Sequence, residues 1–435
     1  MRTVTAHYTH MAHDMRKSLR AYRKILRDKE KKQRKTLEEK NTYAVDRVFR
    51  YGNFVHSARK CRKGVSWKAS VQNYQLTALS KTYNDFKTIR AGKIPKCSTG
   101  REITITERGK ARIITPIHIK DRMLQKVLCD NALVPVLTKK LIYDNGASLE
   151  GKGVGFSRRR MEKHLRKALR IYGPDFYILT FDIKNFFGSI PHSECRKTID
   201  RYFDKDLARI AMGIIKNPIR VKLSKLKDGA EKDASFRELN EDRARGICLG
   251  SQESQIMALV VPNRLDHFIK DDARMKFYVR YMDDGVIIGK NKEELKRLLE
   301  GMKQVMEELG LSFNEKKTHI TKSSKGFTFL KVKYRVSKDG KIVRRLTSKG
   351  VTRMRRKLKK FKRKVEAGEM TPRSAYDSFQ SWREHARVAD SYHTVKNMTK
   401  LYRELFGDYG LGKKGKRDVL QVNPGKDYHW ILCEH

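Results

Sequence analysis

The sequence predicts an α+β fold in which a β-rich middle lies between a basic helical N-terminal stretch and a helical C-terminal one. Three observations carry this. Two apolar β-forming runs, Phe176–Phe181 and Phe277–Gly289, meet aspartates at an end or a turn. Helical apolar spacings fill the chain between and after those runs. Beyond Gly350 the apolar residues recur at helical intervals. At 435 residues the chain has room for about two to four domains with a buried core.

The elements follow in order. Leu19, Tyr22 and Leu26 recur at helical spacing amid the lysines and arginines of Arg16–Lys40, which reads equally as a solvated helix or an RNA-contacting one. Ile103 and Ile105, then Arg112-Ile113-Ile114, read as two strands joined by a turn at Glu107-Arg108-Gly109-Lys110, a hairpin with a basic tip. A helix is expected from Asp121 as its N-cap, burying Leu124, Val127, Leu128 and Leu133. The run Phe176–Phe181 is a buried strand closed by Asp182, and Pro191 opens a helix through His192 to Phe203. Residues 216–245 are dense in charge and read as an insertion or mobile loop. Gly250–Phe268 reads as one helix. Phe277–Gly289 reads as a hairpin with Asp283 and Asp284 at its tip. Glu293–Leu309 is an amphipathic helix closed by Gly310, and Phe327–Leu330 begins a short strand. Val351, Met354, Leu358, Phe361 and Val365 form one helical stripe, with arginines and lysines over the remaining faces. Thr371-Pro372 starts another helix, and a third is expected from Ser391 to Phe406.

Composition narrows the function. Ninety-nine Lys and Arg against 49 Asp and Glu give a formal charge of +50, a surplus that calls for a polyanion partner. A hydrophobic content of 39% excludes a purely disordered basic tail. The six cysteines include no C-x-x-C pair, which argues against a zinc knuckle and fits a reducing cytoplasm. His7, His10 and His13 lack cysteine partners and read as a surface helix. No apolar stretch approaches the ~20 residues that cross a bilayer, so no membrane partner is expected.

Asp182, Asp283 and Asp284 supply the chemistry. Three carboxylates, one at a strand end and two on a hairpin, offer hard oxygen ligands to two Mg2+ ions facing a triphosphate. An isolated Asp-Asp is more often a turn than a site. Here both acid groups close apolar strands, where an unpartnered carboxylate is costly, in a strongly basic chain. The residues alone indicate a metal-dependent nucleic-acid enzyme and leave polymerase and nuclease open.

Several motifs then carry a family resemblance. Tyr281-Met282-Asp283-Asp284 resembles the active-site box of reverse transcriptases, and Phe181-Asp182-Ile183-Lys184-Asn185-Phe186-Phe187 resembles their first acidic motif. Gly246–Gln255 is similar to the motif contacting template and incoming nucleotide, Gly310–Thr318 to the later lysine-bearing motif, and Gly326–Leu330 to the primer grip. With Gly109–Pro116 in the fingers, the resemblance covers roughly residues 100–405. It implies a right-hand polymerase with fingers, a mixed-sheet palm and a helical thumb. Asp182, Asp283 and Asp284 would be catalytic and, with the Ile183 carbonyl, would ligate two Mg2+ ions. Lys110, Arg112, Phe187, Leu249, Gln255 and Lys317 would sit at the nucleotide. Phe187 would exclude a ribose 2′-hydroxyl, and Lys317 would give a proton to pyrophosphate. Arg353, Arg356, Lys357, Lys360, Arg363 and Lys364 would form a nucleic-acid-binding rail.

Leu249 stands where a glutamine is usual and Cys248 where a proline is usual. The run Leu249–Gln255, together with Ser381–His385 and Ala389-Asp390-Ser391, is similar to diversity-generating retroelement enzymes and defence-associated bacterial relatives. The resemblance implies an RNA-directed DNA polymerase copying a dedicated structured noncoding RNA into DNA from dNTPs, in antiphage defence or, alternatively, in diversity generation. An RNA-dependent RNA polymerase and a catalytically silent RNA-binding scaffold on the same fold are the rivals. The expected division is a basic N-terminal extension over 1–95, fingers over 96–172, palm over 173–340, thumb over 341–408 and a tail over 409–435. Oligomeric state is left open.

Overall fold

The computed structural model describes residues 38, 42–98, 103–107 and 110–411. The expected Arg16–Lys40 helix, the three N-terminal histidines and most of the tail lie outside the described residues. The chain divides into two compact units at Lys322 and Ser323. The sheet of residues 327–346 groups with the C-terminal helices.

The first unit carries two sheets. β1 (Ile103–Glu107) and β2 (Lys110–Ile114) pair in an antiparallel hairpin with Glu107 opposite Lys110. The second sheet holds β3 (Tyr177–Asp182), β4 (Phe277–Tyr281), β5 (Asp284–Gly289) and β6 (His319–Lys322), in the order β4-β5-β3-β6, all neighbours antiparallel. Ile178, Leu179, Val279, Val286 and Ile287 are fully or almost fully buried. That is why β3 and β5 read as continuous apolar runs without alternation.

Helix Val154–Tyr172 packs on β4 and β5, and helix Lys292–Glu308 packs on β3, β5 and β6. The second of these buries Leu295, Leu298, Met302, Val305 and Met306 along one stripe. Asn291 caps it by accepting from the Glu294 N–H at 2.8 Å, and Gly310 follows its C-terminus at φ +65°.

Three expectations need correction. Asp121 caps no helix: helix Ile119–Leu128 begins two residues earlier, where His118 Nδ1 accepts from the Lys120 N–H at 3.3 Å. The Asp121 carboxylate instead accepts from the Ser98 N–H at 3.0 and 2.9 Å, pinning the preceding segment. The 216–245 stretch is largely helical, in Lys205–Leu223 and Ala230–Asn240. Buried Lys216 pairs with half-buried Asp242 at 2.6 Å, and Asp242 also accepts from Arg196 at 3.1 Å, while most other charges of the stretch stay exposed on these helices. Pro262 divides the expected single helix into Gln252–Val260 and Asn263–His267, because proline cannot donate to the preceding turn.

The second unit contains β7 (Phe327–Phe329), β8 (Val332–Val336) and β9 (Ile342–Leu346) as an antiparallel sheet. Helices Ser348–Glu366, Pro372–Ala386 and Tyr392–Phe406 follow, as the spacing predicts. Their core is Met354, Leu358, Phe379, Met398 and Tyr402, with the Phe379 and Tyr402 rings stacked at 4.5 Å. Asp390 clips β9 to the helices: its carboxylate accepts from the Arg344 N–H and guanidinium, each at 2.8 Å. Among the described residues no helix is long and apolar enough to cross a membrane.

Candidate active site

β3 and β5 run antiparallel in a register that sets Asp182 opposite Asp284. β4 and β5 close across Met282 and Asp283, with Tyr281 opposite Asp284. Asp283 therefore occupies the turn and Asp284 opens the strand. Met282 holds the left-handed conformation at φ +54° that so tight a turn needs. The Ile183 N–H donates to the Asp283 carbonyl at 3.1 Å, tying the turn to the end of β3. The three aspartates that the sequence singles out are thus brought to one edge of one sheet.

Gly285 shapes this edge. It lies opposite Phe181, and a Cβ there would fall 2.1 Å from the Phe181 ring. Only glycine lets that ring cross the neighbouring strand, where it packs on Phe313 at 5.3 Å and Tyr278 at 6.2 Å.

The Gly310–Thr318 segment docks on Asp182 from the other side. Asn314 donates through its backbone N–H to the Asp182 carbonyl at 2.7 Å and through Nδ2 to the carboxylate at 3.2 Å. Lys317 Nζ donates to the second carboxylate oxygen at 2.6 Å. Burial pushes the Asp284 carboxyl up to about 7, and the Asp283 and Asp182 charges push in the same direction. Lys317 is held above the ordinary lysine range: burial opposes this, but the hydrogen bond and charge of Asp182 outweigh it.

Among the described residues no group of three or more acidic, His or Cys side chains is already arranged to hold a metal ion. The donor set still fits a hard divalent cation. Three carboxylates crowd at the sheet edge, Asp284 is forced toward its neutral form, and the neighbouring cation is the Lys317 ammonium.

Phe187 follows Asn185, whose φ of +44° starts the single helical turn Phe186–Ser189. Phe186 is buried, whereas Phe187 is half-buried and meets it edge-on at 5.6 Å. The Ile247 N–H donates to the Phe187 carbonyl at 2.9 Å and the Gly246 N–H to the Ile190 carbonyl at 2.9 Å, so the Gly246–Gln255 motif lies against the Phe187 turn. Buried His192 reinforces this contact through Nε2 and the Gly246 carbonyl at 2.8 Å. Leu249 and Gln255 are half-buried. Gly250 at φ +115° comes beside the end of β2, its Cβ position 3.8 Å from Ile114. Lys110 and Arg112 sit on β2, opposite Glu107 and Ile105, and their side chains lie outside the described residues.

In the second unit, Arg353, Arg356, Lys357, Lys360 and Arg363 are exposed on helix Ser348–Glu366, and Lys364 is half-buried. Lys357 donates to Ser378 at 2.9 Å and Lys364 pairs with Glu369 at 3.1 Å.

Two groups escaped the sequence reading. Asn314 lies three residues before Lys317 in an already recognised motif, and its amide was the missing signal. Arg280 sits in the apolar run of β4, where a buried guanidinium requires a counter-ion; that ion is Asp266, at 2.7 Å.

Comparison with known proteins adds a family signal. Residues 94–334, more than half of the chain, match the family described as reverse transcriptase (RNA-dependent DNA polymerase). The chain is similar to the apo telomerase of Candida tropicalis truncated from its C-terminal domain. There the identity is 14% and the TM-score 0.37, over 60% of this chain and 59% of that one. It is also similar to the telomerase of Candida albicans in complex with a TWJ fragment of telomeric RNA, at 12% identity and TM-score 0.39, over 70% of this chain and 55% of that one. The chain thus spans 55–59% of the length of these structures. No curated protein matches it.

Proposed function

The chain belongs to the reverse transcriptase family, and from that premise we propose that it is an RNA-directed DNA polymerase, extending a primer along an RNA template with dNTPs. One observation supports this most: the register that sets Asp182 against Asp284 while Ile183 binds the Asp283 carbonyl. In this reading Asp182, Asp283, Asp284 and the Ile183 carbonyl hold two Mg2+ ions. When bound, that pair makes the primer hydroxyl easier to deprotonate and neutralises the leaving pyrophosphate.

The chain's own residues do the rest. Asn314 fixes the Asp182 carboxylate, and Lys317, kept protonated, is the proton source for pyrophosphate. Lys110 and Arg112 bind the triphosphate, while Leu249 and Gln255 border the nucleotide. Phe186 fills the core, which leaves the Phe187 ring available as the barrier to a 2′-hydroxyl. Arg353, Arg356, Lys357, Lys360, Arg363 and Lys364 grip the nucleic acid, supported by the charge of +50.

The template in this reading is a dedicated structured noncoding RNA and the setting antiphage defence. The large positive surplus of the whole chain supports a bulky bound RNA. Leu249 in the nucleotide motif also suits a diversity-generating enzyme.

Primer extension on an RNA template tests the activity. Wild type should incorporate dNTPs in preference to NTPs, and Asp182→Asn or Asp283→Asn should lose about a thousandfold or more of the rate. Equal rates in wild type and the aspartate variants would refute the reading. Sequencing the nucleic acid that co-purifies with the protein tests the role: one noncoding RNA with its cDNA supports defence, and cDNA matching a variable repeat supports diversity generation.

A further inference from the structure

We propose that Arg280 is a positioning residue, which fixes the turn bearing Asp283 and Asp284 and couples it to the helix Gln252–Val260. The inference rests on the polymerase reading above. Arg280 and Asp266 are both fully buried. The guanidinium donates from Nε to Asp266 Oδ1 at 2.7 Å and from one terminal nitrogen to Asp266 Oδ2 at 2.7 Å. That same nitrogen also donates to the Leu259 carbonyl at 2.7 Å. The other terminal nitrogen donates to the Met282 carbonyl at 3.0 Å. Tyr278 completes the cluster by donating to Asp266 at 2.7 Å.

Each of these bonds has a distinct consequence. The bidentate pair with Asp266 locks the plane of the guanidinium. The locked plane then aims one donor at the carbonyl of Met282, the residue that holds φ +54° immediately before Asp283. The bond to Leu259 reaches the helix that carries Gln255. The Arg280 backbone also pairs outward, its N–H donating to the Asp144 carbonyl and its carbonyl accepting from the Gly146 N–H, each at 3.2 Å. One side chain therefore ties the acid-bearing turn to the nucleotide motif, through donors that only a planar fork supplies together. A lysine keeps the charge and cannot make this set.

The test separates positioning from folding. Steady-state primer extension, normalised by active-site titration, is measured for wild type, Arg280→Lys and the paired apolar replacement Arg280→Met with Asp266→Leu. The apolar pair leaves no unpaired charge in the core and keeps the comparison open if the lysine variant fails to fold. In both variants kcat should fall about tenfold or more while KM for dNTP changes less than about threefold. Hydrogen exchange at the Ile183 amide, bonded to the Asp283 carbonyl, should quicken in both, with exchange at Ile178 unchanged. Wild-type kcat in either folded variant, or unchanged Ile183 exchange, overturns the proposal. If wild type itself fails to extend a primer, the polymerase reading falls, and the exchange measurement alone decides whether Arg280 fixes the turn.

Discussion

Replacing Gly285 with alanine probes how tightly the acid-bearing edge is built. The new methyl would lie 2.1, 2.3 and 2.7 Å from three carbons of the Phe181 ring. Restoring an ordinary separation of about 3.6 Å moves that ring by roughly 1.5 Å. Phe181 is 2% exposed and wedged between Tyr278 and Phe313, so the ring has nowhere to retreat without displacing them. Overpacking of this kind costs about 1–3 kcal/mol. A destabilisation of about 2 kcal/mol would quicken exchange of the buried Ile178 and Leu179 amides roughly thirtyfold, read by native-state hydrogen exchange. Because Gly285 follows Asp284 directly, primer extension should fall as well. Gly285→Ala combined with Phe181→Leu should recover part of both deficits, since the two sites share one volume. Exchange and extension within twofold of wild type in the single variant would show that the ring packing does not constrain the edge.

Other substitutions address separate parts of the molecule. Burial lifts the fully buried Glu253 carboxyl from its ordinary 4.5 to about 7, so the unfolded chain ionises first and stability falls by about 3 kcal/mol as pH rises through that interval. Glu253→Gln should flatten the pH dependence of urea midpoints between pH 4.5 and 7; an equal slope in both proteins would contradict this. Phe187→Ala should raise incorporation of NTPs relative to dNTPs about ten- to hundredfold, measured as the ratio of kcat/KM values. Changing Arg353, Arg356, Lys360 and Arg363 to glutamine should leave the helix intact, because Met354 and Leu358 still pack. The slope of log affinity for duplex against log salt should shrink by about 0.9 for each phosphate that is no longer neutralised, and an unchanged slope would place the nucleic acid elsewhere.

The acids were legible because each ends or interrupts an apolar run, where a carboxylate needs a reason to be. Their convergence was expected from their chemistry and from the family resemblance and not from any local pattern, since the order β4-β5-β3-β6 depends on β3 pairings more than a hundred residues apart. The thumb-like helices were legible from spacing and from the Thr371-Pro372 start alone. In residues 216–245 the charges are largely exposed, as their density implies, but they cover helices rather than a loop, and only Lys216 turns inward to Asp242. β8 carries a clean alternation of buried and exposed residues, Val332 to Val336, but its place as the central strand, paired with β7 on one edge and β9 on the other, is not written in that alternation. Arg280 was hidden for the opposite reason: its neighbours are all β-formers, and its importance lies in a partner fourteen positions away.

Under the proposed function, the break between Lys322 and Ser323 sorts the chain by task. Every aspartate of the candidate centre, together with Phe187 and Lys317, precedes it, and the cationic helix follows it. In the polymerase reading, reaction and grip are thereby written on separate stretches of gene. A recombination event at that seam would give the same acid cluster a different cationic helix without altering any of the hydrogen bonds around Asp182.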